Sequence, residues 1–493
     1  MPGLYLAGIR PAVLDAVTMT IDLLERSAQA VSEDAPHSAG SVGPLGEPSV
    51  AEYLSLLRTG LAGTIRPELA DARAQGMLDM ALTLIDHLIV RSGPNATALA
   101  TRDAALTHLR TSLGATNAEQ AVAAAIATHS DAALAHVRDG IAAEAQFLRD
   151  IDTLEQDAAR DHTPVAHDPI DPRVLEDYLG KRYGGPVTIA SIGNPIGGFS
   201  KDVFILNLAG DARPADRIVI RRDLPNGPVE GSVQEEFAVL QAAQAAGVPV
   251  AVPLWLETDP ALFGGPTICL AFVVGSTVAN ARGEIPSESA AASFHHLARI
   301  MGAIHAIDPV QAGLLPADDG RTVQDHILSL LATFEGQWHR RREADSIVLA
   351  AGFAWMRTHM PRETYPVAIV HGDCSLRNLM AQDGTPTAML DWETWHFGDP
   401  AEDLAYVRDE VETCMPWAEF MAEYRAAGGP AISEERLEFW SIWRELRGSI
   451  TSISMMDAVP KGVADLRSAF GGIYFTRLLL MKLADRLQGL LAR

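Results

Sequence analysis

The sequence predicts an α+β chain: an all-α N-terminal part, then a domain that begins in short strands and ends in helices. Three observations carry that prediction. Up to about residue 185 the apolar residues recur at helical spacing and nowhere at strand spacing. Between 187 and 273, short apolar or alternating runs bounded by Gly and Pro follow one another, the mark of strands joined by turns. Beyond 290 helical spacing returns, broken once by short apolar runs ending at His371 and Asp391.

Length and composition set the frame. A chain of 493 residues with 48% hydrophobic residues is expected to form two or three globular domains with ordinary cores. The three cysteines, Cys269, Cys374 and Cys414, are far apart, which argues against a disulfide framework or a metal finger and for a reducing compartment. The N-terminus lacks a basic region followed by an apolar run, so no signal peptide is expected. No apolar run approaches the ~18 residues of a membrane span, and a cytoplasmic protein with no membrane partner is expected. The net charge of −24 argues against nucleic acid as a partner. That charge serves solubility or suits a cationic substrate. Lysine occurs only at Lys181, Lys201, Lys461 and Lys482, so almost all positive charge is Arg, which together with the abundant Ala reads as compositional bias.

In chain order, a helix is expected at 11–30, then a Ser/Gly/Pro-rich connector at 33–48. Helices follow at 50–64, 67–90, 97–113 and 117–128. The longest, 131–160, carries Leu134, Val137, Ile141, Ala145, Leu148 and Ile151 at steps of three and four, one stripe for packing in a bundle. The histidines here form no H-E-x-x-H pattern and read as packing or surface residues. Residues 1–157 are therefore expected to be an all-α accessory domain, a docking module or the contact of a homo-oligomer. A polar, proline-rich run at 158–172 is the expected linker. Residues 173–273 are expected to form an antiparallel sheet plus a helix, and 274–493 a helical part.

Within 173–273, a leading helix at 173–183 precedes strands at 187–192 and 203–208. These flank the loop Gly193–Lys201, G-N-P-I-G-G-F-S-K. Its glycines either let backbone amides approach phosphates or serve an ordinary hairpin turn. A strand at 217–222 ends in Arg221 and Arg222. A helix at 233–246 carries Glu235 and Glu236, and Gly247 and Pro249 stop it. Strands are expected at 254–257 and 267–273. Helices are expected at 290–307, 322–341, 345–359, 411–427, 433–454 and 463–491.

The polar residues of 370–395 are the chemical core of the sequence. His371, Asp373 and Asn378 follow one short apolar run, and Asp391 ends another, 13 residues after Asn378. Asp-x4-Asn with a second Asp beyond a strand hairpin fits phosphoryl transfer. There, one carboxylate orients the attacking hydroxyl and takes its proton, while an amide oxygen and a second carboxylate hold Mg2+.

These residues carry a resemblance. His371-Gly372-Asp373 and Leu390-Asp391-Trp392-Glu393, followed by the run from Gly398 to Ala405, resemble the aminoglycoside phosphotransferase-like family, small-molecule relatives of protein kinases. The resemblance covers about residues 174–430. It implies a bilobal protein-kinase-like domain, here preceded by the all-α helical domain, with Mg2+ and ATP (or GTP) acting on a small-molecule hydroxyl substrate. It implies Asp373 as base and Asn378 and Asp391 as metal ligands. His371 would brace the loop, and Arg377 would either neutralise phosphoryl charge or face solvent. Gly197, Gly198, Phe199 and Ser200 resemble the family's nucleotide loop. Arg221 takes the place of the strand-three cation, which is generally Lys in the antibiotic-modifying members, and Glu236 that of its acidic partner. Residues 270–275 would be the crossover whose backbone binds the nucleobase. Glu393 is a further candidate at the metal site, and Asp399, Asp403 and His305 are expected to be structural. An alternative is a catalytically weak nucleotide-binding pseudokinase or scaffold. An aspartyl phosphatase is a remote third, since Asp391-Trp392-Glu393-Thr394 only loosely echoes D-x-D-x-T.

Overall fold

A computed structural model describes residues 72–92, 96–115, 117–128, 130–156, 171–193, 201–211, 213–223, 231–279, 290–340, 346–457 and 466–492. It also describes Leu54, Arg58, Leu61, Ala62, Arg66 and Leu69. The helix expected at 11–30, the connector at 33–48, most of the linker and the loop residues Gly197, Gly198, Phe199 and Ser200 lie outside the described residues. The chain divides into two units, Met1–Ala105 with Gln146–Val165, and Leu106–Ala145 with Ala166–Arg493.

In the first unit the main helix is α1 (Ala72–Ser92). Its buried Asp79 and Asp86 are paired with Arg66 and Arg58, so its carboxylates are neutralised.

Leu106–Ala145, read from the sequence as part of the N-terminal helical domain, belong by their contacts to the second unit. Buried Glu144 explains how. It accepts from Ser346 Oγ at 2.7 Å and Ile347 N at 2.8 Å, and so caps the start of α2 (Ile347–Thr358).

The strand-rich part is a five-stranded antiparallel sheet of order β1-β2-β3-β5-β4, formed by Thr188–Gly193, Lys201–Ala209, Arg217–Asp223, Pro253–Glu257 (β4) and Thr267–Ala271 (β5). Side chains alternate across a strand, so Ile218 and Ile220 join a core with Phe204, Leu206, Trp255 and Cys269. Arg221 therefore faces the other side of the sheet, toward α3 (Val233–Ala245), which carries Glu236. A capping box uses Ser232 and Glu235 at the start of α3, which leaves Glu236 as the buried acid.

The helical part follows β6 (Ser276–Thr277). Short strands β7 (Ala368–Val370), β8 (Leu379–Gln382), β9 (Thr385–Met389) and β10 (His396–Gly398) form two small sheets, β7 with β10 and β6-β8-β9. The expected strand at 267–273 ends at Ala271. Two helix expectations are corrected. The stretch 411–427 is not one helix: α4 (Ala401–Cys414) stops and α5 (Trp417–Ala426) begins after Pro416. Proline forces the residue before it out of the helical region, and Met415 is extended at φ −159, ψ 159. The stretch 433–454 likewise divides into α6 (Glu434–Trp440) and α7 (Trp443–Asp457).

Candidate active site

The hairpin β8–β9 builds the site. Leu379 pairs with Met389, and Leu390 N donates to Asn378 O at 2.8 Å. Residues distant in sequence are thus side by side, with Asn378 at the start of the hairpin and Asp391 at its end. Asp391 sits in the left-handed region at φ 64, a strained conformation of the kind that gathers at functional sites.

Asp373 is held at both oxygens. Asn378 Nδ2 donates to Asp373 Oδ2 at 2.8 Å and to its carbonyl at 2.9 Å. The Tyr406 hydroxyl donates to Asp373 Oδ1. Burial, reinforced by the charge of Asp373, pushes the Tyr406 phenol well above its ordinary value, so it stays a donor. Arg377 Nη2 reaches the same hydroxyl at 3.4 Å, which places Arg377 near Asp373.

The loop itself hangs on Asp403, which is fully buried. Its carboxylate accepts from His371 N at 2.8 Å, Gly372 N at 2.8 Å and His305 Nε2 at 3.0 Å. His305 Nδ1 bonds Tyr424 OH at 2.9 Å. Burial raises the Asp403 carboxyl, but the His305 hydrogen bond and charge and the backbone donors outweigh it and bring it below its usual value. His371 braces the loop: Nε2 donates to Leu390 O at 3.0 Å, and Nδ1 accepts from Asp373 N at 3.2 Å. That pattern needs a neutral ring, and burial indeed lowers its basicity. Gly372 has φ +81, where a Cβ would lie 2.6 Å from Thr394 O.

Arg221 gathers three acids. Nη1 lies 3.3 Å from Glu236 Oε1, and Nη2 lies 3.1 Å from Asp391 Oδ1 and 3.5 Å from Glu393 Oε2. Burial alone opposes the guanidinium charge, but Glu236, Asp391 and Glu393 outweigh it and hold the arginine charged. Burial pushes Glu236 up, with Arg221 opposing. Arg221 Nε and Glu236 Oε2 are buried without a partner among the described residues. Arg222 instead pairs with Asp202 on the opposite face.

The structure thus brings Asp373, His371, Arg377 and Asn378 together, and brings Arg221 and Glu236 to Asp391. Asp399 is buried and structural. It accepts from Tyr365 OH at 2.6 Å, Trp440 Nε1 at 2.9 Å and Ala401 N at 2.9 Å, and it pairs with Arg436. Cys374 is fully buried, and burial raises its thiol, so it packs rather than reacts. A cavity of about 540 Å³, lined by His305, Tyr365 and Arg436 among others, contains none of the catalytic-loop residues.

Sequence reasoning missed Tyr406, Arg444 and Arg447. Arg444 lies 4.3 Å from the Tyr406 ring centre and bonds Tyr406 O at 3.2 Å, while Arg447 donates to Gly372 O. One signal was available for Tyr406: it stands three residues after Asp403, on the same helix face.

Fold and site define a bilobal, protein-kinase-like phosphotransferase domain. The chain belongs to the phosphotransferase enzyme family, whose model matches residues 193–440. It is similar to acyl-CoA dehydrogenase family member 10 of Mus musculus, 27% identical over 241 residues, or 48% of this chain and 21% of that protein. It is also similar to acyl-CoA dehydrogenase family member 11 of Gallus gallus, 24% identical over 241 residues, 47% of this chain and 30% of that protein. The chain thus spans between a fifth and a third of the length of these curated relatives. A crystal structure from Ralstonia eutropha, described as a putative aminoglycoside phosphotransferase, shares the fold. The TM-score is 0.50 at 21% identity, covering 65% of this chain and 99% of that one.

Proposed function

We propose that this domain moves the γ-phosphoryl group of ATP or GTP to a hydroxyl of a small molecule, with Mg2+. The observation that supports the proposal is the convergence of one hydrogen-bonded carboxylate, Asp373, with the oxygen-bearing side chains of Asn378 and Asp391 and the acid-held Arg221. Asp373 orients the acceptor hydroxyl and takes its proton as the oxygen attacks. Asn378 and His371 fix its position, so little reorganisation is needed during reaction.

Asn378 and Asp391 fit Mg2+. Asn378 spends Nδ2 on Asp373, and no hydrogen bond among the described residues engages Oδ1. The Asp391 side chain is 40% exposed, against 11% for Glu393. No group of three or more His, Cys, Asp or Glu residues gathers as a metal cage among the described residues. Two protein oxygens suit an ion that keeps waters and shares nucleotide phosphates. Bound there, Mg2+ would neutralise charge on the β- and γ-phosphates.

Arg221, oriented by Glu236, would be the cation for the α/β-phosphate oxygens, offered through its guanidinium fork. Gly197, Gly198, Phe199 and Ser200 would cover the phosphates with backbone amides, and Arg377 would offset developing negative charge. A cytoplasmic location and self-association through the N-terminal helices belong to the same proposal. No helix among the described residues is long and apolar enough to cross a membrane.

The test is nucleotide consumption with Mg2+ and ATP or GTP over pools of hydroxylated metabolites and aminoglycosides. Acceptor-dependent turnover, lost in Asp373→Asn, is expected. Mg2+-dependent nucleotide affinity should fall in Asp391→Asn. Nucleotide affinity without turnover on any pool would favour the pseudokinase alternative, and no affinity at all would refute both.

A further inference from the structure

We infer that Tyr406 guards the catalytic base, occupying Asp373 Oδ1 until an acceptor displaces it, so that water is not activated in the acceptor's place. The inference rests on the phosphotransfer reading above and assigns Tyr406 a part in choosing between water and substrate.

A base that accepts a hydroxyl proton needs a carboxylate oxygen open to that hydroxyl. In Asp373, Oδ2 is engaged by Asn378, which also holds the Asp373 carbonyl. Oδ1 receives the Tyr406 hydroxyl, the same functional group donating in the same sense as an acceptor alcohol. The phenol comes from α4, whose Asp403 suspends the catalytic loop, so its backbone is fixed relative to Asp373. Arg444 covers the ring at 4.3 Å and ties Tyr406 O at 3.2 Å to Glu410 at 3.1 Å. Arg377, which makes no ion pair among the described residues, stands 3.4 Å from the hydroxyl and is placed to receive its oxygen when Asp373 lets go.

A hydrogen bond to a charged group is worth roughly ten- to a hundredfold in occupancy. Water has only its own hydrogen bonds with which to displace the phenol. An acceptor molecule adds contacts remote from the reacting hydroxyl, and those can be used for the displacement. The step suppressed is hydrolysis. Water oxygen would bond to the γ-phosphorus, the bond to the β–γ bridging oxygen would break, and the nucleoside diphosphate would leave. The water proton would pass to Asp373 Oδ1 and from there to the phosphate product.

The experiment compares release of inorganic phosphate from Mg-ATP and Mg-GTP, with no acceptor, by the full chain and by Tyr406→Phe. Affinity for fluorescent analogues of both nucleotides is measured alongside. Release should rise by about tenfold or more. Affinity should stay within about twofold, and the rise should vanish in Tyr406→Phe combined with Asp373→Asn. Damage to the fold lowers activity and cannot produce that rise. Arg444→Gln loosens the ring without touching Asp373 and should give a smaller rise; it decides the matter if Tyr406→Phe does not fold. Unchanged or reduced release in both variants, with nucleotide affinity intact, overturns the inference and leaves the phosphotransfer reading standing. Absence of nucleotide binding in the unaltered chain overturns that reading and this inference with it.

Discussion

Replacing Asp403 with Asn tests how the catalytic loop is held. In the native site one carboxylate serves three donors, with His371 N and His305 Nε2 on Oδ2 and Gly372 N on Oδ1. An amide of the same shape keeps one oxygen. If that oxygen retains the two donors of Oδ2, the new NH2 group meets the Gly372 N–H. One charge-assisted hydrogen bond is lost, at about 1.5–3 kcal/mol, and a buried donor is left unsatisfied, at about 1–3 kcal/mol. The expected destabilisation is about 3–5 kcal/mol, a large part of the stability of an ordinary domain. Trp392 is the natural reporter in a urea titration, being buried with its ring 4.6 Å from that of His371. The midpoint should fall, and turnover should fall with it, because Asp373 follows directly on the released amides. A variant within about 1 kcal/mol of the parent, with unchanged turnover, would refute the idea that this carboxylate holds the loop.

Three more outcomes follow from the same contacts. Arg221→Met leaves Glu236 buried without its cation and should cost about 3–5 kcal/mol in thermal or chemical unfolding; pairing it with Glu236→Gln should recover much of that loss. Gly372→Ala forces a side chain into positive φ, 2.6 Å from Thr394 O and 2.9 Å from Arg447 Nη1. It should cost more than the ~1 kcal/mol of an αL alanine, read as a drop in melting temperature. His396 has both ring nitrogens on acceptors, Thr394 O at 3.0 Å and Glu402 Oε2 at 2.9 Å. Burial opposes its charge, yet Glu402 and these bonds raise its affinity for the proton. With the folded value above the unfolded one, its stabilisation is full below pH ~6.5 and is lost as pH rises through the folded value. The difference in melting temperature between the parent and His396→Gln should therefore shrink from pH 6 toward pH 9, and a constant difference would show that the ring is not protonated in the fold.

Much of the site could be read along the chain because its parts are encoded locally. The apolar runs before His371 and Asp391 became β7 and β9, and the turn between Gln382 and Thr385 carries its glycine at φ +77. The rigid spacing from Asp373 to Asn378 put both on one loop. Alternation along β3 sent Arg221 and Arg222 to opposite faces, as strand geometry requires. The break at Met415–Pro416 was equally local, since proline constrains its neighbour, yet the helical spacing on either side concealed it.

Other features had no local signature. Glu144 lies in a helix that sequence patterning assigns to the N-terminal domain, but it caps α2 two hundred residues on, because an unsatisfied helix start draws any buried acceptor within reach. Arg221 bridging Glu236 to Asp391 depends on how β3 packs on α3 and on where the β8–β9 hairpin ends. By itself the sequence marked out most of the strands and helices and singled out Asp373, Asn378 and Asp391 as candidates, since periodicity and motif spacing are properties of contiguous chain. Only the tertiary structure decided that Tyr406 caps Asp373 and that Asp403 suspends the loop. Those contacts exist because α4 packs its Asp403–Tyr406 face against the turn after β7, and the sequence of neither segment specifies that packing alone.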